Sequence, residues 1–243
     1  MALKVLFCLC LVVELFCVPW YLKALWPEKC RKSLILKMVC STMFVSVCVL
    51  SMFIADNFSR YALTMLVGFV FGWIGDYFLH AKPSNAYFVT GFISFLIGHI
   101  IYIVAFVKAT PVIAPGYELF NGVEIAVIIG IVTLLMVAAE VVKVKFSPSV
   151  VKVGVIIYLL AINSMVVRAA VLGYSYYKTG AEFGIVALLL LGIGATAFLL
   201  SDITLGIIIF GGRKKNYPIK IFNIITYFWG QVMLASSVLF INA

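Results

Sequence analysis

Eight apolar runs, each long enough to cross a hydrocarbon core about 30 Å thick, leave this chain almost no residues for anything else. They are read at about 2–25, 33–55, 60–79, 86–108, 120–142, 150–174, 182–210 and 219–242, with short connections between them. Charged residues make up 11% of the sequence, less than half of what a soluble domain carries. The expected fold is therefore an all-α membrane protein: one integral domain over residues 1–243, built as an eight-transmembrane-helix bundle. Lys4 followed by the apolar stretch from Val5 to Val18 looks like the start of a signal peptide. Pro19, Trp20 and Tyr21 stand where a small-residue cleavage site would be, so the first span is expected to be retained.

The net charge of +9 could suggest a nucleic-acid partner, but its distribution gives it another meaning. Connections 1–2, 3–4, 5–6 and 7–8 hold Lys23, Lys29, Arg31, Lys32, Lys37, then Lys82, then Lys143, Lys145, Lys152, then Arg213, Lys214, Lys215, Lys220. The other connections hold Arg60, Lys108 and Lys178. Thirteen against three is a positive-inside pattern that places the basic loops in the cytoplasm and both termini away from it. Attraction to anionic membrane lipids is a second use of the same charge, and no nucleic-acid partner is expected. The protein would sit in the cell membrane if bacterial and in the endoplasmic reticulum membrane if eukaryotic.

All six cysteines, Cys8, Cys10, Cys17, Cys30, Cys40 and Cys48, fall in the first two spans or the loop between them, and none makes a Cys-x-x-Cys pair. They read as apolar filler. Of the two histidines, His80 falls in the loop after span 3 and His99 inside span 4. A catalytic zinc typically takes three protein ligands, so neither a metal nor another cofactor is expected.

Within these runs a few polar residues stand out. "GWIGDYFLH" puts Asp76 into a stretch, Leu63 to Leu79, with no other charge, and "FLLSDITLG" does the same with Asp202. An aspartate near a helix centre costs about 2.5–3.5 kcal/mol on insertion scales, so its presence marks a functional site or a strong partner. Gly68, Gly72 and Gly75 share a face of span 3 with Asp76 at its edge, which turns the carboxyl into the bundle. Gly75-Asp76-x-x-Leu79 matches Ser201-Asp202-x-x-Leu205, and Gly98-His99 matches Gly230-Gln231. A four-plus-four parallel repeat would explain both matches. On that topology Asp76 and Asp202 lie at similar depth and could share one cavity. His99 and Tyr102 in span 4, Asn163 and Arg168 in span 6, and Asn223, Tyr227 and Gln231 in span 8 would complete a polar interior. His99 alone reads equally well as a satisfied core residue, and for each residue of the other spans singly interhelical hydrogen bonding is the commoner reading. Lys37, which opens span 2, suits either a phosphate headgroup or a snorkelling anchor.

Taken together, "GWIGDYFLH", "GFISFLIGHIIYIVAF", "FLLSDITLG" and "YFWGQVMLA" resemble the lysoplasmalogenase family of integral membrane proteins, also called the YhhN family. The likeness runs from Lys37 to Ala235; the family often has Lys-Pro at the start of its second span, whereas Met38 follows Lys37 here. The resemblance implies cleavage of the vinyl ether bond of a lysoplasmalogen to a fatty aldehyde and a glycerophospho-alcohol, a lysophospholipid as substrate, and Asp76 and Asp202 as essential carboxylates. His99 would join them in catalysis, with Tyr102, Asn163, Tyr227, Gln231 and Lys37 binding substrate. Acid hydrolysis of a vinyl ether begins with proton transfer to carbon, and a buried carboxyl suits that step while a second, ionised one steadies the cation. The alternative is a small proton-coupled transporter, because intramembrane acids and a parallel repeat also serve alternating access.

The charge pattern makes a prediction of its own. Cysteines engineered between Lys143 and Lys152 should be labelled only from the cytoplasmic side, and a tag after Ala243 should be reached only from the opposite side. Labelling with the reverse sidedness would invert the topology.

Overall fold

The computed structural model describes residues 1–117, 119–144, 146, 149–213 and 215–243, without the side chains of residues 149 and 150. Lys145, Ser147, Pro148 and Lys214, which the sequence reading assigned to connections, lie outside the described residues. Eight helices follow one another: α1 (Ala2–Leu25), α2 (Arg31–Ala55), α3 (Arg60–Ala81), α4 (Asn85–Ile113), α5 (Gly122–Val141), α6 (Ser149–Lys178), α7 (Gly184–Phe210) and α8 (Tyr217–Ser236), the last continued by a short 3-10 turn. All eight are long and apolar enough to cross a membrane, and no strand occurs among the described residues.

Local chemistry fixes where several of them begin. The side chains of Ser59, Ser84, Asn121 and Asn216 each accept a hydrogen bond from a backbone N–H in the first turn of α3, α4, α5 and α8, which satisfies donors that the helix itself cannot. Cys30 and Ser33 cap α2 reciprocally. Two expectations move at the ends. α4 runs on through Pro111 to Ile113, because a proline near a helix end removes only one late hydrogen bond and a membrane helix tolerates it. α3 extends to Ala81, so His80 is not a loop residue but a buried one in the last turn.

The tightest pairings are α3 with α4 and α7 with α8, and glycine makes both possible. A Cβ on Gly98 would sit 3.4 Å from the Gly68 carbonyl, and one on Gly230 would sit 2.8 Å from the Gly194 carbonyl. Gly68 lies eight residues before Asp76, and Gly194 eight residues before Asp202. The two halves of the chain therefore repeat the same backbone contact at the same register, as a four-plus-four duplication requires. On the outer edge of the bundle, α5 packs against α6. Its buried side chains, Glu124, Ile128 and Val132, all lie in its first part.

That first part is held by a buried ion pair. Arg168 of α6 donates to Glu124 Oε2 at 3.0 Å and to the Thr110 hydroxyl of α4 at 3.0 Å, while Tyr117 donates to Glu124 Oε1 at 2.8 Å. Arg168 also lies over the rings of Tyr117 and Phe120. The expected polar interior thus divides, and Arg168 belongs to this node rather than to the aspartates. Removing one partner of a buried pair costs about 3–5 kcal/mol, whereas removing both can be nearly neutral. Arg168→Leu should therefore lower the thermal midpoint of the detergent-solubilised protein, and Arg168→Leu with Glu124→Leu should recover part of the loss. Equal midpoints for single variant and parent would show that the pair carries no stability.

Candidate functional site

Asp76 is 1% exposed, and both its oxygens are engaged. Lys37 Nζ of α2 lies 2.8 Å from Oδ1, and the hydroxyls of Ser41 and Tyr227 donate to Oδ2 at 2.6 and 2.7 Å. Gln231 donates to the Tyr227 oxygen at 3.4 Å and accepts from Tyr102 at 3.3 Å. So five of the expected site residues, Asp76, Lys37, Tyr102, Tyr227 and Gln231, form one hydrogen-bonded chain. An ammonium and two hydroxyls thus converge on one carboxyl group.

Asp202 has a different neighbourhood. Tyr158 of α6 donates to its Oδ2 at 2.6 Å, and His99 Nε2 stands 3.2 Å from the same oxygen. The other ring nitrogen of His99 faces the Met165 sulfur at 3.4 Å, a weak acceptor, so the Nε2–H tautomer donating to Asp202 is the one that the contacts favour. Asn223 donates to the Ser201 carbonyl and hydroxyl at 2.7 and 2.9 Å, fixing the helix turn that carries Asp202. The Asp202 side chain is 10% exposed. It opens into a cavity of about 160 Å³ bounded by α3, α4, α5, α6 and α7, and is the only charged lining residue among the described residues.

The two carboxylates do not share that cavity. Phe95 stands between them: its ring lines the cavity, and a Cβ on Gly75, next to Asp76, would be 2.7 Å from it. Phe95, Phe198 and Tyr227 meet edge to face, with centroids 5.4 to 6.4 Å apart. His99 packs on the far side of Phe198 at 4.8 Å. The arrangement is nonetheless related across the repeat. In each case a hydroxyl donates at 2.6 Å from the second helix of a half, Ser41 to Asp76 and Tyr158 to Asp202. Each aspartate is also reached from the last helix of the other half, Asp76 by Tyr227 and Asp202 by His99. Asp76 meets a lysine and is buried; Asp202 meets a histidine and borders the cavity.

Asn163 joins neither group. Its amide donates to the Leu159 carbonyl one turn back, its Oδ1 is buried without a partner, and it does not line the cavity. His80 is held by structural contacts, with Ser33 at 2.8 Å and Tyr21 at 3.4 Å from its two nitrogens. No group of three or more His, Cys, Asp or Glu residues that could hold a metal occurs among the described residues.

Sequence reasoning passed over Ser41, Tyr158, Phe95 and Glu14. Ser41 lies one turn beyond Lys37 on the same face, a signal that was available. Glu14 is the only acidic residue of the first span, the same signal that singled out Asp76. It is 1% exposed, neither oxygen has a hydrogen-bond partner among the described residues, and it lies near Asp76.

A family model decides the kinship: that of the YhhN family matches residues 33–238. The chain belongs to the YhhN family, the family of lysoplasmalogenases. No curated protein and no solved structure matches it. Both aspartate clusters, apart from Glu14, fall within the matched residues; α1, which brings Glu14 toward Asp76, precedes them.

The contrast between the clusters is testable by stability alone. Lys37→Met leaves Asp76 without its counter-ion in a buried site, so its thermal midpoint in detergent should fall well below the parent's, by a loss on the order of 3–5 kcal/mol. His99→Gln, which keeps a hydrogen-bond donor beside the partly exposed Asp202, should shift it far less. A midpoint for Lys37→Met equal to the parent's would mean that Asp76 is not held by this pair.

Proposed function

We propose that the protein is a membrane-embedded hydrolase that cleaves the vinyl ether bond of lysoplasmalogen, or of a related lysophospholipid, to a fatty aldehyde and a glycerophospho-alcohol. Membership of the YhhN family supports the reaction class. The observation that carries the reading to particular residues is Asp202, the one carboxyl among the described residues of a cavity whose lining, apart from Tyr158, is apolar. A substrate with a long apolar chain and one acid-labile bond fits such a lining, whereas a hydrophilic solute would leave its polar groups unpaired there.

In this mechanism Asp202 and His99 hold one transferable proton between them. Oδ2 already accepts from Tyr158 and His99, which leaves Oδ1 to deliver the proton to the β carbon of the double bond. The electron pair of the vinyl group forms the new C–H bond, and the ether oxygen shares the resulting positive charge as an oxocarbenium ion. The Asp202 carboxylate, now ionised, faces that cation, and its own charge is steadied by the same two donors. Water adds to the oxocarbenium carbon and returns its proton to the Asp202–His99 pair. The hemiacetal then collapses: its hydroxyl gives up its proton as the carbonyl forms, the C–O bond to glycerol breaks, the Asp202–His99 pair passes a proton to the glycerol oxygen, and the aldehyde leaves. Asp76 acts through Tyr227 and Phe95, holding the wall against which the reacting bond lies. It is a positioning residue in this scheme, and Lys37 serves it rather than the substrate.

The test is aldehyde release from a lysoplasmalogen by purified protein in detergent, where no gradient exists to drive a carrier. Asp202→Asn should purify as the parent does yet lose at least about 100-fold in turnover, the lower end of what general acid–base catalysis contributes. His99→Gln should lose less. Asp76→Asn should lose turnover and thermal stability together. Near-parent turnover of Asp202→Asn would remove it from the chemistry, and transport into vesicles without aldehyde release would favour a proton-coupled carrier.

A further inference from the structure

The cavity beside Asp202 is open along one side. Among its described lining residues Phe95 alone is buried; those on α5, α6 and α7 are half-buried or exposed. Leu135, Met136, Ala138, Ala139 and Val142 carry α5 past it, whereas the buried residues of that helix end at Val132. Leu134, Val137 and Val141 of the same segment do not line it and are more than half exposed. Among the described residues α5 makes no close backbone approach to α4 or α7, the helices across the cavity. The second half of α5 therefore has the cavity on one face, the bilayer on the other, and a gap toward α4 and α7.

The cavity is also too small for a whole lysolipid. Its volume is about 160 Å³, and pockets that enclose a drug-sized molecule run to about 300–1,000 Å³. Part of the substrate must lie outside, and the two ends leave in different directions. Asp202 stands eight residues before the end of α7, about 12 Å at 1.5 Å per residue. About seven bonds, or roughly 9 Å when extended, separate the protonated carbon of the vinyl ether from phosphorus. A head pointing toward Phe210 thus brings the phosphate near the level where α7 ends, beside connections whose Lys82, Lys143 and Arg213 are exposed. The reverse pose would leave the phosphate among apolar helices, with no cation lining the cavity among the described residues, a costly burial.

We infer that the alkenyl chain leaves the cavity sideways, past the second half of α5, and lies in the bilayer. The inference rests on the hydrolase reading above and adds to it the path of the substrate. Phe95 closes the inward side and the head takes the way toward Phe210, so the gap beside α5 is what remains for the chain. The site holds the head and the first carbons of the chain and leaves the rest in lipid. A lysolipid can then slide in from the membrane with its charge at the surface throughout.

The experiment uses the full chain in phosphatidylcholine vesicles with two probes. The first is a saturated alkyl-ether lysophosphocholine, which is not cleaved, with a diazirine about five carbons, roughly 6 Å, from the ether oxygen. Light should attach it to the segment from Leu134 to Val142, and an excess of the unlabelled lipid should suppress that label. The second is a lysoplasmalogen with pyrene at the far end of a long chain. Its kcat/KM should stay close to that of the plain long-chain substrate, whereas a closed pocket rejects even one extra methylene by about tenfold or more. Ala138→Trp, which puts a large ring into the gap, should lose the suppressible label and lower kcat/KM for both substrates about tenfold. Val137→Trp, next to it but off the cavity, should match the parent. A parent protein without suppressible label on α5, or one that rejects the pyrene chain by about tenfold, overturns the inference. Suppressible label on α5 in a protein that releases no aldehyde supports the lateral chain path and rejects the hydrolase reading instead.

Discussion

The contact of helix backbone on helix backbone, Gly98 against Gly68 and Gly230 against Gly194, is what the interior of this bundle depends on. Lipid tails are as apolar as the side chains, so burial alone gives helices little reason to associate in a bilayer, and close packing with internal hydrogen bonds must do it. Removing the side chain at these crossings brings α4 onto α3 and α8 onto α7 closely enough for the next residue on each helix to reach inward. That residue is His99 in one half and Gln231 in the other. The polar chemistry follows from the glycines.

Ionic groups inside the bundle divide into those that are used up and those that are not. The Arg168–Glu124 pair and the Lys37–Asp76 pair are enclosed, with further hydroxyl donors on their carboxylates. Asp202 meets a histidine and a tyrosine on one oxygen and an open space otherwise. A closed cluster of charges rigidifies the packing around it, while an open one can exchange a proton with whatever enters. The two halves thus share a pattern of helix contacts and differ in electrostatics.

How much of this was legible in the sequence follows from the range of each signal. Span number and rough limits are properties of local composition, and the eight helices lie within a few residues of the runs from which they were read. Asp76, Asp202 and His99 were visible because a polar residue in hydrocarbon is costly wherever it points. What was not legible is which residue meets which. Lys37 could be an anchor, a headgroup ligand or a counter-ion on any reading of its own segment; only the meeting of α2 with α3 makes it the partner of Asp76. Arg168 and Asn163 were grouped with the aspartates because both are polar residues inside an apolar span, but a helix of 30 residues carries groups at very different depths. The separation of the aspartates by Phe95 depends on one aromatic rotamer, which no periodicity encodes.

The enclosed Arg168–Glu124 node also bears on biogenesis. A chain delivered to the membrane from its N-terminus meets each new charge in order. Lys37, in the second turn of α2, and Glu124, in the first turn of α5, arrive early and sit near helix ends, where a side chain can bend back to the interfacial water. Arg168 and Asp202 lie more than two turns from the ends of α6 and α7. By the time they are made, Glu124 and Thr110 for the one, and His99 and Tyr158 for the other, already exist. The order of the residues along the chain thus spares each deep charge a wait in the lipid.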